Sequence, residues 1–377
     1  MCLLSPNATH GGAERVITAA ARALPAQGLV PGVVLLAEGP LEDWLHAAGV
    51  PYRVLRAPRT RQVHRAVPAV VRLSREWRRT GTDVVLSSLP KGHLYGGLAA
   101  RLAGVPEVRW QHTFPGRSWF DRLADRVPAA ATICVSHAVA DRMKDPTEVV
   151  LPGIELAEVR SREGSGRAIR DRLVPPGGWL VGVVSRVHRG KGLETFVEAA
   201  ALVSARTPGA RFVAVGGPHD AASEGLARQL RARAERLGST MTFAGHQPDV
   251  FPWIDSLDLL VAPSTVEAFG LSVLEALALG TPVVATDSGG PAEIIGGSGA
   301  GCIVAVDEAG AMAAAISELL ADPARRARMS ELARARAGEL SVEAMAAGLA
   351  TTLRRAARAG PRRRSWRAGG RDGRRRG

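Results

Sequence analysis

The chain has 377 residues, which is more than one typical domain needs and enough for two domains that each bury a substantial core. Its 46% hydrophobic and 23% charged residues are typical of soluble globular proteins and exclude a chain that is disordered throughout. The formal net charge of +13 is concentrated in residues 354–377, which contain eleven arginines and one acid, so the rest of the chain carries only about +3 and has no general nucleic-acid signature.

The three cysteines, Cys2, Cys134 and Cys302, lie far apart beside apolar residues and show neither paired nor metal-ligand spacing. They predict reduced thiols in the core of a cytosolic protein. No stretch reaches the roughly 18 apolar residues of a transmembrane helix, and the N-terminus lacks the charged and apolar regions of a signal peptide. We therefore expect a cytoplasmic protein.

The first half of the chain alternates short apolar runs with helical patterns. After a short first strand at Cys2–Ser5, the predicted strands cover 33–37, 52–55, 83–87, 108–111 and 131–135. This alternation predicts a parallel sheet with helices on both faces, and it is assigned to an N-terminal Rossmann-like domain, residues 1–159. Gly11 and Gly12 precede a predicted helix at 16–24; such a glycine loop is a weak phosphate signal by itself and is more often a plain turn.

The pattern restarts after a segment at 160–178 that is rich in Gly, Arg, Ser and Pro and is predicted to be a linker. The second set of predicted strands covers 179–185, 211–216, 241–244, 257–262, 282–286 and 302–305. Helices at 309–320 and 324–337 complete a second domain, residues 179–340, and a last helix is predicted at 341–358. The fold class is therefore α/β, with two doubly wound Rossmann-like domains facing a cleft where both sheets present the carboxyl ends of their strands. The Arg-rich tail, residues 359–377, is predicted to be disordered.

The most informative stretch is 263–295, PSTVEAFGLSVLEALALGTPVVATDSGGPAEII. A helix is predicted to begin near Gly270, where the N–H groups of Gly270 and Leu271 are unsatisfied donors at the positive end of the helix dipole. Glu267 lies in the loop before this helix. Glu275 lies on the apolar stripe that faces the interior, where an unpaired carboxylate costs several kcal/mol, so we expect sugar or ribose hydroxyls to face it. The alternative is an ordinary amphipathic helix that tolerates one glutamate.

The segment after the strand 179–185 carries two cations, Arg186 and Lys191. They lie five residues apart at the carboxyl end of a strand and suit a diphosphate, because arginine offers a fork of donors and lysine a point charge. Lys191 is one of only three lysines in the chain. The alternative is a pair of solvated loop cations.

Glu267, seven residues and Glu275, followed by GTPVVATDSGGPAEII, closely resemble the donor-site signature of the family-four retaining glycosyltransferases of the GT-B fold, the glycosyl transferases group 1. The resemblance implies that Glu267 contacts the donor sugar and Glu275 holds the ribose. It implies that the backbone of Phe269, Gly270 and Leu271 takes the diphosphate. It also implies that the second domain binds the nucleotide sugar, that the first domain faces the acceptor, and that the helix 341–358 crosses back onto the first domain.

The same resemblance extends to other parts of the chain. Arg186 and Lys191 match the diphosphate-binding pair of the family. The segment GGAER at 11–15, which begins with Gly11 and Gly12, matches its loop near the donor phosphates and acceptor. His112, which follows the strand 108–111, matches a residue that contacts sugar hydroxyls, although a lone histidine is more often structural. The turns with Gly216, Gly245 and His246 match the nucleobase site.

Three further features bear on the resemblance to the family. The Ser136–His137 loop matches a common family signature but is interpreted mostly as structural. The segment LPGIEL at 151–156 lacks the family's usual asparagine, although Gly153 and Glu155 match. The first strand is shorter than family members usually carry before the glycine loop, which would fit a truncated start.

The expected chemistry is transfer of a sugar from a nucleotide-diphosphate sugar to a glycan, lipid-linked or small-molecule acceptor, with retention of anomeric configuration as the resemblance implies. No Asp-x-Asp pair occurs in the chain, so the predicted reaction is metal-independent, with no cofactor and no metal site. Charge on the leaving diphosphate would be stabilised by Arg186, Lys191 and the helix N-terminus.

Several alternatives remain open. A nucleotide-sugar epimerase would use the same fold and ligand, and so would a phosphorylase, although no lysine follows Lys191 to carry pyridoxal phosphate. A catalytically inactive sensor would bind the donor without turnover. A nucleic-acid-binding protein would depend on the arginine tail and lose its function on truncation at Leu353, whereas the enzyme would largely keep its activity; we expect no specific nucleic-acid partner.

A final feature is the arginine-rich segment 53–79, which contains nine arginines and apolar residues at helical spacing. A basic amphipathic helix of this kind can lie on anionic lipid, and the tail would add attraction, which predicts peripheral association with the inner face of the cell membrane. The favoured alternative is that the apolar side packs on the first sheet and the arginines are solvated.

Overall fold

The computed structural model describes residues 1–9, 11–58, 62, 65–116, 118–145, 147–238 and 240–360. Two parallel sheets form the framework, as the GT-B expectation requires. The predicted disordered tail lies outside the described residues from 361 onward, as do parts of the arginine-rich segment. Among the helices of these residues, none has both the length and the apolarity to cross a membrane.

The N-terminal sheet has seven parallel strands in the order β3-β2-β1-β4-β5-β6-β7. They are β1 (Cys2–Ser5), β2 (Gly32–Leu35), β3 (Tyr52–Val54), β4 (Val85–Ser88), β5 (Glu107–Gln111), β6 (Ala131–Cys134) and β7 (Glu148–Val149). Their helices are α1 (Gly12–Ala23), α2 (Leu41–Ala47), α3 (Val67–Arg79), α4 (Leu89–Ala103), α5 (Trp119–Ala124) and α6 (His137–Ala140). The strand order reverses beside β1, which places the loop after β1 at the topological switch point.

The C-terminal sheet has six parallel strands in the order β10-β9-β8-β11-β12-β13. They are β8 (Trp179–Val184), β9 (Ala210–Val215), β10 (Met241–Gly245), β11 (Leu259–Ala262), β12 (Val283–Thr286) and β13 (Gly301–Val304). The remaining helices are α7 (Leu156–Arg160), α8 (Arg167–Leu173), α9 (Leu193–Ser204), α10 (Ala221–Arg236), α11 (Phe251–Asp255), α12 (Leu271–Leu279), α13 (Gly290–Ile295), α14 (Ala309–Ala321), α15 (Pro323–Glu339) and α16 (Val342–Ala359). Here the order reverses between β8 and β11, so the loops after these two strands meet at the second switch point.

The core follows from the alternation of side chains along the strands. Leu3 of β1 belongs to a cluster that runs through both domains, whereas Cys2 and Leu4 face the opposite side and pack with Trp77 of α3. Both faces of the sheets are therefore covered, which explains the nearly continuous apolar strands. The inner cluster continues from α1 to α12 and α16, so apolar packing joins the two domains.

Two segments connect the domains. The segment 160–178 contains α8, and the N–H groups of Gly164 and Gly166 donate to the Asp255 carboxylate at 3.2 and 2.8 Å. The helix α16 packs against α1 of the first domain. Arg355 on α16 forms an ion pair with Glu148 of β7, so the second crossing is held by charge as well as by apolar contact.

Candidate active site

The site forms where the N-terminus of α1 and the N-terminus of α12 meet across the cleft. A Cβ atom at Gly12 would lie 3.2 Å from Leu271 Cδ1, so the glycine loop of one domain touches the first residue of the other domain's helix. Gly270 precedes α12 with φ of 103° and offers no capping side chain, a conformation that glycine adopts without strain. Two helix dipoles thus direct their positive ends at one place, which favours an anion there.

Glu267 and Lys191 lie at this place and form an ion pair between Nζ and Oε2. The Glu267 backbone is held on both sides, because its N–H donates to Ser288 O at 3.0 Å and its carbonyl accepts from Gly290 N–H at 2.9 Å. Both side chains are about one quarter exposed or less. They line a shallow pocket together with Gly270, so a ligand in this pocket would meet both charges.

Lys191 is positioned by a short 3-10 helix, Arg189–Lys191, that follows β8. His188 caps this turn by accepting from Gly190 N–H at Nδ1, at 3.1 Å. Gly192 ends the turn with φ of 61°, and a Cβ there would lie 2.7 Å from the carbonyl carbon of Pro263. The turn is therefore pressed against the loop that carries Glu267, which explains why the two side chains meet.

Arg186 lies on the same edge of the C-terminal sheet, directly after β8. Its side chain is exposed, and it has no carboxylate within 4 Å among the residues described here. Burial raises the pKa of the Glu14 carboxyl across the cleft, and the charge of Arg186 offsets a small part of that rise. Arg186 is thus open to a ligand, whereas Lys191 is engaged by Glu267.

The structure gives Glu275 a protein partner in addition to the ligand hydroxyls that are expected to face it. Its side chain is 4% exposed, and Oε1 lies 2.5 Å from Nη1 of Arg15, a residue of the first domain. Burial raises the pKa of Glu275, and the Arg15 guanidinium partly offsets this effect. The sequence pattern indicated that the carboxylate needs a partner, but it did not indicate that the protein supplies one.

Glu14 and Arg15 complete the GGAER loop that begins at Gly11, but neither was predicted to be a site residue. Glu14 is 3% exposed, and its carboxylate folds back over Gly11, where a Cβ would clash with it. Burial raises the pKa of Glu14. Their position in the first turn of a helix after two glycines was the available signal, since charged residues at that position face the same cleft as the loop.

His112 follows β5 and is 9% exposed. Its Nε2 is buried without a hydrogen-bond partner among the described residues, and its ring lies 4.4 Å from the Trp110 ring between centroids. Burial lowers the pKa of His112 to about 3. The imidazole is therefore neutral near pH 7, and it can exchange a neutral hydrogen bond with a hydroxyl but cannot neutralise a phosphate.

The buried state of His112 predicts an acid-sensitive stability. The unfolded chain takes up a proton at His112 below its usual pKa of 6.5, whereas the folded chain does so only near pH 3, so stability falls as the pH is lowered between these values. When the pH is lowered from 7 to 5, we expect the free energy of unfolding of wild type to fall by about 2 kcal/mol more than that of His112→Asn. Urea unfolding of both proteins at the two pH values measures this, and a difference that does not change with pH contradicts it.

The turns after β9 and β10 form a separate part of the site. Gly216 N–H donates to Gly245 O at 2.8 Å, and Gly217 packs against the backbone of His246. A pocket next to them is lined by Gly216, Arg231 and Phe243. The predicted nucleobase turns are thus adjacent to each other, on the side of β8 away from Glu267.

Glu293 is a further contact between the domains that the sequence did not reveal. Its carboxylate accepts from the N–H groups of His137 and Ala138 at 2.8 and 2.6 Å, at the start of α6. His137 Nδ1 lies 3.1 Å from the same carboxylate. Ser136 Oγ caps α6 by accepting from Val139 N–H at 3.2 Å, which is the structural use expected of this loop.

Two family models match the chain. The model for Glycosyltransferase Family 4 matches residues 10–158, and the model for Glycosyl transferases group 1 matches residues 179–322. A D-inositol 3-phosphate glycosyltransferase of Thermobispora bispora is 30% identical over 361 residues, covering 86% of this chain and 81% of that protein.

A lipopolysaccharide core biosynthesis mannosyltransferase, LpsB of Rhizobium meliloti, is 33% identical over 207 residues, covering 53% of this chain and 58% of that protein. The chain spans a little more than half the length of several such curated relatives.

Solved structures share the fold at lower identity. Anabaena HepE in complex with UDP-glucose has a TM-score of 0.82 and 23% identity, covering 94% of this chain and 99% of that chain. WaaG, a glycosyltransferase involved in lipopolysaccharide biosynthesis, has a TM-score of 0.66 and 17% identity, covering 93% and 99%.

Proposed function

The chain belongs to the glycosyl transferases group 1 family, and from this we propose that it transfers a sugar from a nucleotide-diphosphate sugar to a glycan, lipid-linked or small-molecule acceptor. The proposed transfer retains the anomeric configuration and needs no metal ion. The observation that carries the proposal is the meeting of two helix N-termini with Lys191 and Glu267 at the carboxyl edge of the C-terminal sheet. This arrangement suits one anionic group joined to one polyhydroxylated group.

Each group in the site has a proposed role. Arg186, Lys191 and the N–H groups at the start of α12 bind the diphosphate and stabilise the negative charge that develops as it leaves. Glu267 accepts hydrogen bonds from donor-sugar hydroxyls, and Glu275 accepts them from the ribose. The turns at Gly216 and Gly245 border the nucleobase. The neutral, unpartnered Nε2 of His112 suits a sugar hydroxyl.

In the proposed reaction, the bond between the anomeric carbon and the diphosphate oxygen breaks while the acceptor oxygen attacks on the same face. The acceptor's proton passes to the leaving phosphate oxygen, so no protein nucleophile is required. Preorganised cations and amides lower the barrier because they match the charge of the departing group and need no reorganisation. Arg186 is not bound to a carboxylate in the described part of the chain and can contribute its full fork of donors.

The donor and acceptor are proposed only by class. A hexose donor is supported by the names of the relatives, which include mannosyltransferases and D-inositol 3-phosphate glycosyltransferases. A peripheral location at the inner face of the membrane is supported by charge alone. The apolar side of α3, with Ala69, Leu73 and Trp77, is buried against the first sheet, so contact with lipid would be electrostatic.

The test has two stages. Nucleotide sugars are first screened by thermal unfolding, where a donor at one hundred times its dissociation constant adds about 2.7 kcal/mol of stability. The stabilising donor is then incubated with candidate acceptors, and product configuration is read by NMR. We expect a glycoside with the donor's anomeric configuration; an epimerised donor would instead indicate an epimerase, and binding without turnover an inactive sensor.

The nucleic-acid alternative is tested in the same assay with a chain that ends at Gly360. The truncation at Leu353 suggested by the sequence is unsuitable, because α16 extends to Ala359 and its Ala356 is buried against the first domain. Full transfer by the chain ending at Gly360 excludes an essential role for the tail.

A further inference from the structure

Arg15 links the first domain to Glu275, a deeply buried carboxylate of the proposed donor site. It lies in the first turn of α1, three residues after Gly12, and its guanidinium contacts Glu275, which lies four residues after Leu271. Leu271 lies next to Gly12, since its Cδ1 would be 3.2 Å from a Cβ at that position. The ion pair therefore lies one turn further along each helix than the pair of N-termini. It can form only when the two domains are close together.

The two partners differ in their surroundings. The Glu275 side chain is almost fully buried, whereas the Arg15 side chain is 39% exposed and lies over the Phe251 ring at 5.7 Å. A buried carboxylate without a partner is strongly disfavoured in its charged form. Arg15 thus stabilises the ionised form of Glu275 while remaining accessible from the cleft.

The other charged groups around α12 either have different partners or disfavour the ionised form of Glu275. Asp249, before α11, acts in the opposite direction by raising the pKa of Glu275, and it is paired with Arg162 at 3.0 Å. Arg334 of α15 donates to Leu279 O at the far end of the helix. Glu158 of α7 lies 3.7 Å from Arg22, and Glu293 of α13 is bound to the start of α6.

We propose that Arg15 is a positioning residue of the donor site, which holds Glu275 ionised and oriented so that the nucleotide ribose meets a charged hydrogen-bond acceptor. The proposal rests on the donor-binding function above. It also makes ribose recognition depend on domain approach, because the charge that maintains Glu275 comes from the other domain. The opposite possibility is that Arg15 competes with the ribose, in which case its removal would tighten binding.

The experiment measures the binding of UDP, ADP and GDP by calorimetry between pH 5.5 and 8.5. It uses wild type, Arg15→Ala, Arg15→Lys, Glu275→Gln and the Arg15→Ala, Glu275→Gln double variant. Arg22→Ala is the matched control, because Arg22 lies on the same helix and its partner Glu158 is half exposed. Thermal unfolding of each variant checks that it is folded.

We expect Arg15→Ala to weaken binding of the preferred nucleotide by about tenfold or more at pH 7 and to move the acid limb of the binding profile to higher pH. Arg15→Lys should restore part of the affinity, because lysine supplies charge without the planar fork. In the Glu275→Gln background, removing Arg15 should have little further effect, and Arg22→Ala should bind like wild type.

Unchanged or tighter binding by Arg15→Ala, or an acid limb that does not move, overturns the proposal and leaves the glycosyltransferase function standing. If wild type binds neither these three nucleotides nor any nucleotide sugar of the thermal screen, the proposed function fails and the role of Arg15 fails with it. A loss that is equally large in the Glu275→Gln background shows that Arg15 acts elsewhere, which also contradicts the proposal.

Discussion

Replacement of Lys191 by alanine is expected to lower kcat/KM for sugar transfer by about a thousandfold while the protein stays folded. Lys191 supplies a positive charge beside the first turn of α12, where we propose that the diphosphate leaves, and it also neutralises Glu267. Its loss removes transition-state stabilisation and leaves Glu267 without its partner, so both effects act in the same direction. Steady-state kinetics with the donor found by the screen measure this loss.

The matched control is Arg189→Ala, which removes an exposed cation from the same 3-10 turn and should leave kcat/KM within a few-fold of wild type. Glu267→Ala should show a loss of similar size. The double variant should lose far less than the product of the two single losses, because the residues act as a pair. Near-wild-type activity of Lys191→Ala and Glu267→Ala would refute the site assignment.

Replacement of Gly290 by alanine is expected to cost about 3 kcal/mol of stability, near the upper end of overpacking costs. A Cβ at Gly290 would lie 2.6 Å from the backbone nitrogen of Phe269 and similarly close to other backbone atoms of that residue. The clash cannot be relieved by rotating a side chain. Because Gly290 N–H also donates to Glu267 O, displacement of α13 should misplace Glu267 and reduce activity as well.

Gly310→Ala serves as the control for this change. Gly310 lies near the start of α14 with open space at its Cβ position, so alanine should stabilise the protein by about 0.5–1 kcal/mol. Denaturant unfolding of the two variants should therefore give shifts of opposite sign. Equal stability of Gly290→Ala and wild type would show that α13 does not press against the Phe269 loop.

Within each domain, local sequence patterns were sufficient to predict most of the strands. The apolar runs at 179–185 and 282–286 correspond to β8 and β12, and the helix predicted near Gly270 begins at Leu271. The two-residue strand β7 and the short helices α5, α8 and α13 were not predicted, because they are too short for periodicity to mark them. They form because neighbouring elements hold them.

The sequence by itself determined which chemical groups this protein brings to its cleft. Two glutamates eight positions apart, two cations after β8 and two glycine loops predict a site for a diphosphate and a sugar, because their chemistry is visible in a short stretch. The tertiary structure alone decided their partners. Arg15 and Glu275 are 260 positions apart and His137 and Glu293 are 156 apart, and the buried, neutral state of His112 depends on the packing around β5. Such pairings arise when α1, α6, α12 and α13 come together, since burial and ion pairing depend on distances in space that no local pattern records.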